Sequence, residues 1–309
     1  MPFIIKKMFA QERESAFLFF KRELGYSQRD IQRYIAVGRV LINGVPITKP
    51  SDFLEGEFEF IYFEPISKGL ASHIVDERFV VFDKPSGMLI HPQNRHTPYS
   101  LIDELKFQFG MDANIAHRID QETSGLVLCA KDKKSEVDIK MMFQEREMKK
   151  KYLAMVHGEL KDELRIDAPL LRYDDEKSAL IRMVVKVDES GKKSLTYVKP
   201  IKYYPELDMT MIECSPHTGR QHQIRVHMFH VKHPIVGDPV YGQDEENIVK
   251  YLDRELDRET RVKISGARRL LLHANELEFE LYGKNYQIKS SVDFEKVCLE
   301  NMKTIYRVL

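Results

Sequence analysis

The segment with the densest set of reactive side chains is AHRIDQETSGLVLCAKD, residues 116–132. Asp120 lies among polar residues that directly precede an apolar, strand-like run. Polar residues in such a position are typical of a functional site or of a structured loop. A carboxylate there can act as a nucleophile or as a general base. The pattern D-x-x-T-S-G taken alone, however, indicates a surface loop in which Asp120 caps Thr123 or Ser124. These neighbours are His117, Arg118, Thr123, Ser124 and Gly125.

A second chemically suggestive segment is the histidine-rich stretch between residues 217 and 233. Imidazole is the commonest metal ligand, so the stretch raises the alternative of a metallohydrolase. Against a metal site, the segment has no HExxH pattern, and no acidic residue follows before Asp238. His222 and His227 are five residues apart, which aligns less well on one helical face than a spacing of three or four. The histidines concerned are His217, His222, His227, His230 and His233.

Short strands and short helices alternate after residue 77, and they must position both segments. RFVVFDK, GLVLCAK, KYLAMVHGEL and MTMIECS have the apolar, β-rich composition of strands, whereas KSEVDIKMMFQER and GRQHQIRVHMFH are typical of helices. The regular βαβ repeat and the GxGxxG pattern of a dinucleotide-binding fold are missing from the sequence. The pattern therefore predicts an α+β domain with a mixed, largely antiparallel sheet over residues 77–309.

Residues 1–64 are predicted to form a separate, smaller unit of two helices, a hairpin and an acidic strand. Ser27 is a candidate N-cap for the second helix, and Asn43-Gly44 between two β-rich runs predicts a hairpin turn. Residues 65–76 have the mixed polarity of a linker. The outward-facing charges of this unit are Arg29 and Arg33 on the second helix and Arg39 just beyond it.

The composition is that of a folded cytoplasmic protein. The formal net charge is zero, with 48 basic and 48 acidic residues, so any nucleic-acid partner must be bound by a local basic surface. No apolar run approaches the roughly 20 residues of a membrane span, and the N-terminus does not have the pattern of a secretory signal. The cysteines fit neither a disulfide framework nor a zinc spacing; they are Cys129, Cys214 and Cys298.

The segment around Asp120 resembles the catalytic motif of the RluA family of RNA pseudouridine synthases. Four further segments resemble the other family motifs in the same order, although Ile119 and Met228 stand where leucine is commoner. These segments are DKPSGMLIHP (83–92), KKYLAMVHGEL (150–160), PHTGRQHQIRVHMFHVKHPIVGDPVYG (216–242) and RRLLLHANELEFE (268–280). The N-terminal unit resembles the S4 RNA-binding fold, chiefly through GRVLINGVPI. The resemblance implies a pseudouridine synthase catalytic domain and a small α/β S4-like domain.

The same resemblance implies roles for individual residues. Asp120 corresponds to the catalytic carboxylate, Arg225 to the arginine that pairs with it, and Tyr152 to a tyrosine that can stack on uracil and serve proton transfer. Arg118 corresponds to an arginine associated with extrusion of the target base. RNA contacts are further expected for Arg29, Arg33 and Arg39. Lys84 and Arg220 are expected to contact RNA phosphates or, as an equal alternative, to form structural ion pairs. His117 is expected to fix the loop or to contact phosphate, and Thr123, Ser124 and Gly125 to shape the turn.

The implied activity is isomerisation of uridine to pseudouridine in structured RNA. Ribosomal RNA of the large subunit is expected ahead of transfer RNA. The reaction has no redox step and transfers no external group, so neither a cofactor nor a metal is expected, and nothing demands a membrane or an obligate protein partner. Attack on the sugar, attack on the base and proton abstraction at the sugar all stay open. Besides the metallohydrolase, a non-catalytic RNA-binding or ribosome-assembly protein is an alternative.

Overall fold

A computed structural model describes residues 2–172 and 184–302. The chain divides into one compact unit of Met1–Lys68 and His91–Phe107 and a second of Gly69–Ile90 and Gln108–Leu309. This division differs from the predicted boundaries in two respects. Residues 91–107 group with the N-terminal unit, and part of the predicted 65–76 linker forms a strand. That strand was overlooked because its sequence, SHIV, is short and lies among turn-forming residues.

The N-terminal unit contains two helices beside a four-stranded antiparallel sheet of order β1-β4-β2-β3. Ser15 and Ser27 cap the two helices by accepting hydrogen bonds from backbone N–H groups in the first turn. Asn43 and Gly44 adopt positive φ angles of 52° and 77° in the predicted hairpin turn. The elements are β1 Phe3–Ser15, α1 Ala16–Leu24, α2 Gln28–Ala36, β2 Val40–Ile42, β3 Val45–Pro46 and β4 Phe53–Phe63.

Aromatic packing forms the core of this unit. Phe20, Phe58 and Phe60 are each at most 2% exposed, and Phe19 meets Phe58 edge to face with ring centroids 5.0 Å apart. Such pairs add to the free energy of burying the rings. The helices and the sheet are therefore joined mainly by large apolar side chains.

The second unit is built on a ten-stranded sheet of order β10-β13-β14-β9-β15-β8-β6-β5, with β16 beside β15 and β7 beside β8. All pairs are antiparallel except β8 with β15, which confirms the predicted α+β class with a mixed, largely antiparallel sheet. The ten strands are β5 Ser72–Val75, β6 Phe79–Lys84, β7 Asn114–Ile115, β8 Ser124–Ala130, β9 Lys149–His157, β10 Leu164–Asp167, β13 Leu195–Tyr204, β14 Met209–Pro216, β15 Leu272–Leu281 and β16 Lys284–Lys289. A separate two-stranded antiparallel sheet is formed by β11 Leu170–Arg172 and β12 Val185–Val187. Helix α3, Leu101–Phe109, lies mostly in the first unit, whose second segment ends at Phe107. The described helices of the second unit are α4 Lys133–Glu145, α5 Gln223–His230, α6 Glu245–Leu252, α7 Arg258–Ser265 and α8 Phe294–Met302.

Strand β8 begins directly after the Asp120 loop, and its first residues make the parallel contact with β15. Gly125 pairs with Ala274 there and has a φ of 113°. A Cβ atom at Gly125 would lie 2.3 Å from the Ala274 carbonyl oxygen, so only glycine allows the two strands to approach. Every residue of β8 is buried. The loop that precedes β8 is therefore attached to a rigid, central strand.

The structure also bears on membrane insertion. In the part of the chain that the structure describes, no helix has the length and apolar character needed to span a bilayer.

Candidate active site

The second unit contains a cavity of about 510 Å³. This volume lies within the range of small-molecule sites. The cavity is formed by the loop before β8, the end of α4, the start of β9, the turn between β14 and α5, and β15. Its polar lining residues include Asp120, Arg225, Tyr152, His117, Arg118, Arg220, His217, His222, Lys150 and Thr123. The structure thus brings the predicted carboxylate, arginine and tyrosine to one cavity.

A turn at residues 85–88 holds the Asp120 loop in place. The N–H of Gly87 donates to the Gln121 carbonyl at 2.8 Å, and the Ser86 hydroxyl donates to the Glu122 carbonyl at 2.6 Å. The Glu122 carboxylate in turn accepts hydrogen bonds from Tyr251 and Arg261. The residues on the C-terminal side of Asp120 are therefore fixed by backbone and side-chain bonds.

Lys84, the last residue of β6, directly precedes this turn, and the predicted contact with RNA phosphate is wrong for it. The side chain is fully buried, and its ammonium donates to the carbonyls of Pro85, Met88 and Gln121 at 2.9 to 3.0 Å. Burial lowers its pKa to about 7. Three carbonyl acceptors use all three donors of an ammonium. Lys84 therefore stabilises the loop from inside the protein.

Asp120 and Arg225 are in contact in the cavity. Arg225 Nη1 lies 3.4 Å from Asp120 Oδ2, and about a quarter of the Asp120 side chain is exposed. The other edge of the guanidinium is bound more tightly, because Nε and Nη2 donate to the two oxygens of Asp238 at 2.7 and 2.8 Å. This bidentate geometry fixes the plane of the guanidinium. Asp120 consequently faces the one nitrogen that Asp238 leaves available.

Asp238 is the functional candidate that the sequence did not reveal. It is 1% exposed and also accepts from the N–H groups of Val240 and Tyr241 at 2.9 and 3.0 Å. Burial opposes the charge on Arg225, but Asp238 and, less strongly, Asp120 raise its pKa above the ordinary value. In the sequence, Asp238 stands out only as the first acidic residue after the histidine-rich stretch. A buried arginine needs a carboxylate partner, so the expectation that Arg225 is buried would have directed attention to Asp238.

His222 lies beside Asp120 and contacts Tyr241. His222 Nε2 lies 3.9 Å from Asp120 Oδ2, and His222 Nδ1 is 2.9 Å from the Tyr241 hydroxyl. Burial and the adjacent Arg225 charge lower the pKa of His222 to about 4. The imidazole is therefore neutral near pH 7, which leaves Arg225 as the cation beside Asp120.

Tyr152 enters the cavity from β9. Burial and the nearby charge of Asp120 raise the pKa of its hydroxyl above the ordinary value. The phenol therefore stays protonated at neutral pH and can donate a proton or a hydrogen bond.

His117 and Arg118 are adjacent in sequence but lie in different environments. His117 Nε2 accepts the Leu128 N–H at 2.9 Å, its ring stacks on Phe143, and burial lowers its pKa to about 3. A neutral imidazole bonded to the backbone stabilises the loop and cannot bind phosphate as a cation. Arg118 is exposed and lines the cavity, so its guanidinium is accessible to a ligand.

The other predicted residues are placed as follows. The Thr123 N–H donates to the Asp120 carbonyl at 3.2 Å, which closes the turn. The Ser124 hydroxyl is buried and contacts His273 Nδ1 at 2.9 Å. Arg220 lines the cavity, although its Nε donates to the Lys193 carbonyl at 3.3 Å.

In the N-terminal unit Arg29 and Arg33 are exposed, whereas Arg39 is half-buried with its guanidinium 4.9 Å from the ring of Phe3.

The histidines that raised a metal site have separate partners. His227 contacts the Thr196 hydroxyl and the Ala168 carbonyl, and His233 contacts the His157 carbonyl. Over residues 2–172 and 184–302, no three side chains of His, Cys, Asp or Glu are grouped so that they could hold a metal ion. Among the described residues, the histidines that suggested a metallohydrolase therefore do not form the cluster that such a site would need.

Comparison with known proteins identifies the family. Residues 78–230 match the family model described as RNA pseudouridylate synthase. An uncharacterized RNA pseudouridine synthase of Helicobacter pylori (strain ATCC 700392 / 26695) is 38% identical over 291 residues, which cover 94% of each chain. The chain therefore belongs to the family of RNA pseudouridine synthases and is an isomerase.

A further relative agrees with this assignment, and a solved structure has the same fold. Ribosomal large subunit pseudouridine synthase C of Buchnera aphidicola subsp. Baizongia pistaciae is 34% identical over 233 residues, 74% of this chain and 69% of the relative. The structure of human RNA Pseudouridylate Synthase Domain Containing 1 superposes with a TM-score of 0.56 at 24% identity, over 74% of this chain and 86% of that one. The structural likeness establishes the shared fold.

Proposed function

We propose that this protein converts specific uridines of structured RNA to pseudouridine with Asp120 as the catalytic carboxylate. The observation that carries the proposal is the position of Asp120, partly exposed in a nucleotide-sized cavity and 3.4 Å from a buried, doubly anchored guanidinium. The guanidinium places a positive charge beside a carboxylate that can attack as a nucleophile or accept a proton as a base.

The reaction needs little beyond these groups. The N1–C1′ bond of uridine breaks, the uracil turns, a C5–C1′ bond forms, and the proton on C5 leaves while N1 gains one. Asp120 can serve as nucleophile at the sugar or the base, or as a base at the sugar. Tyr152 is protonated and shares the cavity, so it is suited to stack on the uracil and to take part in proton transfer at C5.

The target base has to leave its stacked position before it can reach Asp120. Extrusion of a base costs a few kcal/mol. Arg118 is exposed at the cavity next to Asp120. A planar guanidinium can stack in the vacated space and bond to the orphaned partner base, and we assign this role to Arg118.

We propose ribosomal RNA of the large subunit as the substrate, with transfer RNA as the second choice. The proposal follows the names of relatives that act on the ribosomal large subunit, among them the synthase C of Buchnera aphidicola. The proposed RNA-binding role of the N-terminal unit favours a large, structured RNA as the substrate. A second RNA-binding surface on the same chain raises the effective concentration of the catalytic domain at its target.

The N-terminal unit is proposed to bind RNA as an S4-like domain through α2. Its support is the order of two helices and a hairpin and the exposed Arg29 and Arg33 on α2. The surface ion pair of Arg33 with Asp30, 3.3 Å long, is weak enough to yield to phosphate.

Replacing both Arg29 and Arg33 with glutamine is therefore expected to weaken RNA binding and to reduce its dependence on salt concentration. The slope of log Kd against log salt concentration should fall by about one to two units, because two phosphate contacts are lost. Fluorescence anisotropy with a ribosomal RNA fragment at several salt concentrations measures this slope. The control is Lys6→Gln with Lys7→Gln, two exposed charges on β1 of the same unit. If both double variants lower the slope equally, α2 has no special role.

Pseudouridine mapping tests the proposed activity. RNA from a strain that lacks the gene is incubated with the purified protein, and pseudouridines are mapped at nucleotide resolution. The proposal predicts new pseudouridine at one or a few uridines of the large-subunit RNA. Conversion only in transfer RNA would move the substrate to the second choice, and no conversion in any RNA would refute the activity.

A further inference from the structure

Three consecutive lysines at the start of β9 differ sharply in their surroundings. Side chains alternate between the two faces of a strand, and Lys149 and Lys151 share one face. The Lys149 ammonium lies 2.6 Å from Glu278, and that of Lys151 lies 3.5 Å from Glu276. Lys150 points the other way, with Tyr152, and both line the cavity that contains Asp120.

Lys150 is a half-buried cation on an apolar face. It is paired in register with Leu277, a core residue of β15, and its ammonium lies 5.9 Å from the ring centre of Phe143. Among residues 2–172 and 184–302, no carboxylate lies within 4.0 Å of this ammonium. Burial lowers its pKa. A buried charge without a counter-ion costs free energy, so this position favours a ligand that brings a negative charge.

We infer that Lys150 binds a phosphodiester of the RNA backbone next to the uridine that enters the cavity. The inference rests on the proposed function and names a contact of the same site. Phosphate is the anionic group of RNA, and a nucleotide cannot enter the cavity without its flanking phosphates. The acidic group of the cavity, Asp120, is already paired with Arg225. A compact, flexible ammonium suits a phosphate oxygen, for which it acts as a point charge.

Such a contact would hold the sugar as well as the base. Lys150 and Tyr152 are two residues apart on the same strand face, so a phosphate on one and a uracil on the other span a single nucleotide. The contact is therefore expected to act mainly on the binding of the extruded nucleotide, and thus on kcat/KM.

A double-mutant cycle between protein and RNA tests the inference. The RNA is a hairpin that contains a uridine identified by mapping, and each of its two flanking phosphodiesters is replaced in turn by a neutral methylphosphonate. Lys150→Met is expected to lower kcat/KM on ordinary RNA by about tenfold, the effect of one charge-assisted hydrogen bond. One of the two methylphosphonates should lower the wild-type value similarly, and the two changes together should cause no further loss.

Lys149→Met is the matched control. Its side chain is on the opposite strand face, so the methylphosphonate effect should persist in full in this variant. A melting curve guards against a folding defect: removal of an unpaired, half-buried charge should leave the melting temperature of Lys150→Met equal to or above that of the wild type.

Two outcomes would overturn the inference. In the first, the loss of kcat/KM caused by Lys150→Met multiplies with the loss caused by each of the two methylphosphonates. That result would show that Lys150 contacts a neutral part of the nucleotide, such as a uracil carbonyl. A lower melting temperature with an unchanged kcat/KM per folded protein would show that the lysine is structural. The same cycle, measured as Kd with Asp120→Asn protein, separates this inference from the proposed function. Coupling in Kd together with full isomerisation by Asp120→Asn would refute the proposed role of Asp120 and leave the phosphate contact of Lys150 in place.

Discussion

Asp120→Asn is expected to lower the single-turnover rate of pseudouridine formation by about 10⁴-fold or more, the scale seen when an enzyme loses its nucleophile. Asparagine has nearly the same shape, but it can neither attack as an anion nor accept a proton as a base. Affinity for RNA should change by less than about threefold, because the RNA is held by other groups and the new amide is neutral. The rate is measured as conversion of a hairpin RNA under excess enzyme, and the affinity by anisotropy.

Asp112→Asn provides the matched control for this substitution. Asp112 is exposed and does not line the cavity, so both rate and affinity should stay at the wild-type values. Equal rates for Asp120→Asn and the wild type would remove Asp120 from the chemistry. A parallel loss of rate and RNA affinity would instead make Asp120 a binding residue, and the alternative of a non-catalytic RNA-binding protein would gain support if neither protein converted uridine.

Asp238→Asn is expected to damage both stability and activity. Arg225 is 3% exposed, and loss of its bidentate charged partner would leave a buried guanidinium with the longer, 3.4 Å contact to Asp120. The expected cost is roughly 3–5 kcal/mol in the free energy of unfolding. A guanidinium that is no longer held in its plane would also be misplaced beside Asp120. The single-turnover rate should fall by about 100-fold, as expected for a misplacement of about 1 Å.

A double variant separates these two effects. In Arg225→Met/Asp238→Asn the buried charge is removed, so the protein should be more stable than Asp238→Asn alone in urea unfolding. Its activity should nevertheless stay low, because the cation beside Asp120 is missing. If stability and activity recover together, Asp238 acts only on folding, and its role in placing Arg225 is refuted.

Local sequence signals predicted much of the fold because they act over a few residues. Ser27 caps α2 and Asn43-Gly44 forms the hairpin turn, and each needs only its neighbours. Strand β1, Phe3–Ser15, was not predicted. Most of its residues are exposed and several are charged, so it lacks the apolar alternation of a half-buried strand. It forms because β4 supplies hydrogen-bond partners, and such pairing is not visible in the local sequence.

The site was predicted where a motif marks it and missed where only tertiary contacts do. Asp120, Tyr152 and Arg225 come from three segments that β8, β9 and α5 bring to one cavity. The prediction for Lys84 is wrong because a lysine next to a turn resembles a surface cation, and only the fold surrounds it with carbonyl groups. Asp238 was missed because its pairing with Arg225 bridges 13 residues and depends on how the chain turns back after α5.

The most direct test of the account is a crystal structure of Asp120→Asn bound to an RNA hairpin that contains a mapped uridine. The decisive quantity is the distance from the substituted side chain at position 120 to the nearest reacting carbon of the target nucleotide. The account predicts an extruded uridine in the cavity with this distance at about 3–3.5 Å, the separation of a near-attack arrangement. A uridine that stays stacked in the RNA, or a nucleotide bound away from this side chain, would contradict it.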